Sequence, residues 1–258
     1  TGLLLQTGVT DSNGRIIFTY GLAENRAYQV EAVTPSNLQI VYNYVNTSQV
    51  TPISEMISVA NYTQPEMLVR FGYRSSQPVS LQGEVKWEIA SGTQLSLANV
   101  QVKLMSGTLL IGTKTTGTDG KVIFNETDGL VTGENYKLVV DKSATASIFT
   151  NLIAIANQLD GSPQLPIDDE ILVNNLINGQ GGLFVYGKDS STAAASLKGY
   201  THLDLSPVGT YQNTDRAYPA VALKLTDVGT GLVLETAVTD SVGVYTFQNG
   251  VISGRNYE

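Results

Sequence analysis

Short runs in which apolar and polar residues alternate recur along this chain. Val100, Val102 and Leu104 alternate with Gln101 and Lys103, and Val221, Leu223 and Leu225 alternate across Ala222 and Lys224. Val122 and Phe124 flank Ile123, and Val244 to Phe247 follow Gly243. A period of two sends one set of side chains to a buried face and the other to water, the pattern of a half-buried strand. Turn formers stand between the runs: Asp11-Ser12-Asn13-Gly14, Thr118-Asp119-Gly120 and Asp240-Ser241-Val242-Gly243. Aspartate accepts from nearby backbone N–H groups and glycine adopts positive φ, so each reads as the turn of a β-hairpin. Ser147 to Leu159 is the strongest helix candidate, with Leu152, Ile155 and Leu159 inward, but its Thr and Ile content weighs toward strand. Many short strands with glycine-rich turns predict an all-β fold of the sandwich type.

The chain also repeats itself. Thr1 to Gly14 lies on Thr230 to Gly243 with ten of 14 positions identical. A more diverged copy runs from Leu109 through Asp119 to Phe124. Each copy ends in a tyrosine (Tyr28, Tyr136, Tyr257), at spacings of 108 and 121 residues. Ser80-Leu81-Gln82-Gly83 and Ser196-Leu197-Lys198-Gly199 form a second pair of anchors. A unit of about 115 residues is domain-sized and far longer than a solenoid repeat, so modules in series are expected. The expected division is a C-terminal part of a unit at 1–74, a complete unit at 75–189 and an N-terminal part of a third at 190–258. Arg74 to Pro78 and Lys188 to Thr192 read as the linkers.

The ordered pieces resemble a known family. Phe71-Gly72-Tyr73, then Ser80-Leu81-x-Gly83-x-Val85-x-Trp87, then Leu97-Ala98-Asn99-Val100-x-Val102-x-Leu104, then Thr118-Asp119-Gly120-x-Val122-x-Phe124 and Gly133-x-x-Tyr136-x-Leu138 are similar to the B-type repeats of Sdr adhesins and the collagen-adhesin B domains. The looser kin are transthyretin-like and carboxypeptidase-regulatory-like sandwiches. The resemblance implies tandem Ig-like or transthyretin-like β-sandwich modules, one complete and two partial, in a bacterial surface stalk. Two family features find little support. The calcium loop expected after the tryptophan carries a single carboxylate in Glu88 to Thr93, and again one in His202 to Ser206, where calcium takes six to eight oxygens. Lys86 stands where an isopeptide lysine would, but its counterpart in the next unit is His202.

Composition narrows the function. The chain has 258 residues, no cysteine and one histidine, which excludes a disulfide framework, a thiol nucleophile and any His-rich metal site. A net charge of −8 would repel a nucleic-acid backbone. No apolar run is long enough to span a bilayer, and no basic, apolar leader opens the chain.

Each candidate site residue has a bland reading beside a sharper one. Asp11, Asp119 and Asp240 are read as one recurring turn position, with a calcium contact as the alternative. Tyr28, Tyr136 and Tyr257 are read as sandwich-edge tyrosines whose hydroxyls bond backbone, against a sugar-stacking role. Trp87 is read as core. His202 is a half-exposed strand residue that would need a nucleophile and an orienting carboxylate to act as a base. Asp168-Asp169-Glu170 is read as a solvated acidic loop or a cation site. Asn46, Asn61 and Asn125 head N-glycosylation sequons, which matter only in an exported glycoprotein.

The expectation is a secreted, non-enzymatic structural protein at the cell surface or outside the cell, with no cofactor unless calcium binds weakly. Neighbouring copies of itself in a stalk or filament are the expected partners, with linkage by strand complementation at an open module. A glycan- or host-protein-binding adhesin is the alternative, with specificity in the long segments 31–70 and 141–186. An accessory sandwich of a secreted hydrolase is the third, for which no nucleophile elbow, metal triad or phosphate loop is visible.

Overall fold

A computed structural model describes residues 2–63, 66–189, 195–205 and 209–258. Thr1, Ser190 to Thr192 and Ser206, which entered the sequence reading, lie outside the described residues. Among the described residues the fold is all-β, with a single 3₁₀ turn at Glu126–Asp128. The chain divides into two compact units, Thr1–Gln77 and Pro78–Glu258.

Two sheets face each other in residues 78–189. One runs in the order Lys121–Asn125, Ser80–Ala90, Gln180–Lys188, Leu152–Leu159, Ser162–Pro163, with Thr93–Ser96 added to Ser80–Ala90. The other runs Glu170–Val173, Tyr136–Val140, Gln101–Ser106, Leu109–Thr115. Ser80–Ala90 and Gln180–Lys188 pair in parallel; the remaining ladders of these sheets are antiparallel. Ser80–Ala90 shows why the alternation matters: Leu81, Val85 and Trp87 are fully buried, while Lys86 points outward to Glu84. Val102, Leu104, Phe124, Leu138, Ile171 and Phe184 close the core from the other strands. Each large side chain so buried contributes about 1.5–3 kcal/mol.

The hairpin turn is fixed by Gly120, at φ 75°, whose missing Cβ would lie 2.7 Å from the Val85 carbonyl oxygen. Gly243 does the same against the Thr201 carbonyl, at φ 72° and 2.5 Å. These contacts match Val85 with Thr201, so the Ser80 and Ser196 segments occupy the same place in their sheets. The helix candidate is resolved as strand over Leu152–Leu159, and residues 143–151 form successive turns.

Residues 195–258 form three small ladders: Leu197–Tyr200 with Val244–Phe247, His202–Leu203 with Arg216–Ala217, and Ala222–Thr226 with Val233–Val238. Their order repeats the first half of the 78–189 sandwich. They share its hydrophobic cluster through Leu225, Leu234, Phe247 and Ile252. Residues 195–258 fall in one compact unit with 78–189, because apolar side chains close over the junction.

Thr1–Gln77 repeats the second half. Tyr28–Glu31 pairs with Met56–Val59, as Tyr136–Val140 pairs with Glu170–Val173. Leu38–Val45 pairs with Ser48–Gln49 and Val69–Ser75, as Leu152–Leu159 pairs with Ser162–Pro163 and Gln180–Lys188. Asn43 and Asn157 are buried at matching positions, each donating from Nδ2 to a carbonyl of the facing loop: Ser54 at 2.7 Å, and Asp168 and Glu170 at 2.9 Å. The segments 31–70 and 141–186 differ in sequence yet build the same strands.

Candidate functional site

The most elaborate polar arrangement lies where residues 195–258 meet 78–189. Arg255 follows Gly254, whose φ of 84° swings the chain so that the next side chain turns inward. Its Nε and Nη2 donate to the two carboxylate oxygens of Asp227, both at 2.7 Å. Its Nη1 donates to the carbonyls of Ile148 at 3.0 Å and Thr150 at 2.9 Å. The guanidinium lies 4.8 Å from the centroid of the Trp87 ring. Both charged side chains are nearly sealed from water, at 2% and 1% exposure. Asp227 also accepts from the N–H and hydroxyl of Thr230, each at 2.8 Å. Burial pushes the Asp227 carboxyl up, but the bonds from Arg255 and Thr230 outweigh it and hold it below the ordinary 3.8.

Around this pair the backbones also join. Asn151 Nδ2 donates to the Ser253 carbonyl, and the Gly250 N–H donates to the Ile89 carbonyl at 3.1 Å. Ile148 and Phe149, from the turns before Leu152, are buried here, with the Phe149 ring 4.6 Å from that of Tyr186. The arrangement binds one stretch of sandwich to another through a satisfied charge pair that water does not reach. Sequence reasoning missed it: Trp87 was taken as core, as it is, but nothing near Arg255 or Asp227 in the chain marks them as partners.

The three recurring tyrosines do the same thing in three places. The hydroxyl of Tyr136 accepts from the N–H five residues back, Val131, at 2.9 Å, and donates to the carbonyl seven back, Gly129, at 3.3 Å. Tyr257 repeats this with Ile252 at 2.6 Å and Gly250 at 3.1 Å, and Tyr28 with Ala23 at 2.6 Å and Gly21 at 3.4 Å. This is backbone-tying geometry. Burial raises Tyr136 and Tyr257 above the usual phenol range.

The aspartates divide. Asp11 Oδ1 accepts from the N–H groups of Asn13 and Arg15, and Asp240 Oδ1 from Val242 and Val244. Among the described residues Asp119 accepts from Lys121 alone, and the place that Asp11 and Asp240 occupy in the turn belongs to Gly117. Asp119 thus stands two residues past the turn position of Asp11 and Asp240, and the 3₁₀ turn at Glu126–Asp128 lengthens this copy between turn and tyrosine. The correct register shows a repeated residue the sequence reading passed over. Thr116 and Thr239 are buried, and each hydroxyl takes a backbone N–H (Val100, Val221) and gives to a carbonyl (Leu97, Tyr218).

The acidic run is not a free loop. Asp168 caps the Glu170 N–H, Asp169 takes the Tyr186 hydroxyl and Lys142, and Glu170 takes both oxygens to Lys137. The three carboxylates diverge to separate partners, and among the described residues no group of three or more His, Asp or Glu stands together as a metal site. His202 is half-buried between Tyr200 and Tyr211, with ring centroids 6.2 and 5.0 Å away. Asn46 and Asn61 are exposed; Asn125 is half-buried, with its carboxamide oxygen on the N–H and hydroxyl of Thr127. Among the described residues no helix is long and apolar enough to cross a membrane.

No family model matches the chain, and no curated protein matches it. Among solved structures it is similar to the Bacillus anthracis TIE protein, at 12% identity over 86% of this chain, with a TM-score of 0.27. The chain spans 43% of the length of that protein. A likeness at that score carries no argument about architecture or activity.

Proposed function

We propose that this chain is a non-enzymatic spacer of an extracellular or cell-surface protein. In this reading a complete sandwich at 75–189 is flanked by parts of two others, 1–74 and 190–258. The observation that supports it most is the sealed Arg255–Asp227 pair, seated on Trp87 and on the Ile148 and Thr150 carbonyls. A flexible tether between modules has no need of a buried joint. A rod that must keep its direction does, since a fully satisfied polar network admits one geometry and penalises others. The short ladders and turn-capping aspartates belong to the same design, with neighbouring copies as partners and no cofactor in the work.

The test is small-angle scattering of the wild-type chain beside Arg255→Ala. The spacer reading expects a narrow distance distribution that broadens when the joint is cut. Identical profiles, or substrate turnover by the wild type, would sink it.

A second reading has one observation in its favour. Tyr200 and Tyr211, 59% and 68% exposed, flank His202 and offer ring faces to solvent, as sugar-binding surfaces do. Binding on a glycan array that is lost in Tyr211→Ala would move the chain into the adhesin class.

A further inference from the structure

The first and last strands of the 78–189 sandwich are neighbours and run the same way. Ser80–Ala90 opens it and Gln180–Lys188 closes it, with eight residue pairs in parallel register, from Leu81 opposite Gln180 to Glu88 opposite Gly187. That pairing sets the direction in which the chain pulls on its own ladder. The backbone enters at Pro78, beside the start of the first strand, and leaves at Lys188, the end of the last. In parallel strands these points lie at opposite ends of the ladder, about 26 Å apart for eight residues at a rise of about 3.3 Å each. Tension along the polypeptide therefore slides one strand past the other, and the inter-strand hydrogen bonds resist together. Had the two strands been antiparallel, the same pull would open the ladder from one end, pair by pair.

Both strands lie in the middle of their sheet. Ser80–Ala90 is also paired with Lys121–Asn125 and Thr93–Ser96, and Gln180–Lys188 with Leu152–Leu159. The core pins them further. Leu81, Val85 and Trp87 from one strand and Phe184 and Tyr186 from the other are fully buried, so a slip of one residue would set them against the wrong face. The Tyr186 hydroxyl, donating to Asp169 at 2.8 Å, adds a polar tie. The joint with residues 195–258 grips the far end of the same ladder: the Gly250 N–H donates to the Ile89 carbonyl, and Arg255 lies on Trp87. Tension arriving through 195–258 is thus shared between the backbone at Lys188 and the end of Ser80–Ala90.

We propose that 78–189 is a tension-bearing module, in which the parallel ladder of Ser80–Ala90 and Gln180–Lys188 is a shear clamp that keeps the sandwich folded while the chain is pulled. This deepens the spacer reading and rests on it for its purpose. A spacer that holds something away from a surface must bear load along its length as well as keep its direction.

The absence of cysteine lets thiol handles be placed at chosen points of the full-length chain. Single molecules are pulled in an optical trap from two pairs of handles. Gln77→Cys with Lys188→Cys loads the ladder in shear. Gln77→Cys with Ile177→Cys takes hold of the two strands at the same end and peels them apart. Gln77 and Ile177 are exposed and Lys188 is half-buried, so the handles stand clear of the core. The proposal expects rupture in shear at about three times the peeling force or more, since eight pairs share the load in one geometry and one pair takes it in the other. Equal forces overturn the clamp and leave the scattering test of the spacer reading, made without load, untouched. The shear chain gives a second measurement by itself. Its rupture force, followed over loading rate, should yield a distance to the barrier shorter than about 3.3 Å, one strand rise. A distance of several rises means that the ladder opens pair by pair, and overturns the clamp as well.

Discussion

Arg255 and Asp227 form a two-point ion pair, 2.7 Å at each contact, between residues 28 apart in sequence and almost wholly buried. Two further donations from the same guanidinium reach carbonyls more than 100 residues away. Such a pair is costly to break from one side, because the remaining charge stays buried and alone. Arg255→Ala is therefore expected to lower the stability of the 78–258 unit by about 3–5 kcal/mol. Replacing both Arg255 and Asp227 by apolar residues of similar size should cost much less. Urea unfolding of the three variants checks this order, and a double variant as unstable as the single one contradicts it.

The same pair gives the chain a defined acid sensitivity. The Asp227 carboxyl is held below 3.8 in the folded protein, so its contribution is fully present above the ordinary carboxylate range. That contribution is lost as pH falls through the depressed folded value. Lys103, with its 2.6 Å bond, draws Asp141 down to about 2, so Asp141 adds an acid-side slope of its own. Unfolding measured from pH 7 down to pH 2 should show falling stability on the acid side. Asp227→Asn should be less stable at neutral pH and show a shallower slope, without becoming flat.

The tyrosines offer a graded series. Tyr→Phe removes a hydroxyl that serves one N–H and at least one carbonyl and leaves those groups unpaired in proportion to their burial. Tyr136 is 6% exposed, Tyr257 and Tyr28 more so. Tyr136→Phe should cost about 1–3 kcal/mol, with Tyr28→Phe the mildest of the three. Differential scanning calorimetry of the single variants settles the ranking.

Ala220 sits at φ 57°, a left-handed conformation that disfavours a Cβ without local polar support. Its match is Asn99, at φ 61°, and both donate to the following threonine carbonyl (Thr239, Thr116). Ala220→Asn should stabilise residues 195–258 by about 0.5–1 kcal/mol, since asparagine tolerates this region. Native-state hydrogen exchange over Ala222–Thr226 should slow accordingly; faster exchange would mean that the Cβ is not the source of strain.

Much of the fold was legible because its signals are local. Alternation at Val100–Leu104 and Val221–Leu225 depends on neighbours two residues apart, and the tyrosine ties reach back only five and seven. The pairing of residues 38–75 was invisible for the opposite reason: Asn43 and Asn157 share a role but little surrounding sequence, since a buried strand accepts many apolar substitutions. Asp119 was placed with Asp11 and Asp240 on the likeness of the turn segments, whereas the backbone bonds that set the turn register run through Gly117.

By itself the sequence determined a polypeptide of short strands and tight turns, with segments copied along its length and no cysteine. Only the tertiary structure decided that Arg255 reaches Asp227, Trp87 and the Ile148 carbonyl, and that residues 195–258 join 78–189 in one unit. Turn and strand preferences act within a few residues. A buried charge pair exists only where distant backbones have already come together to exclude water and supply every donor with an acceptor.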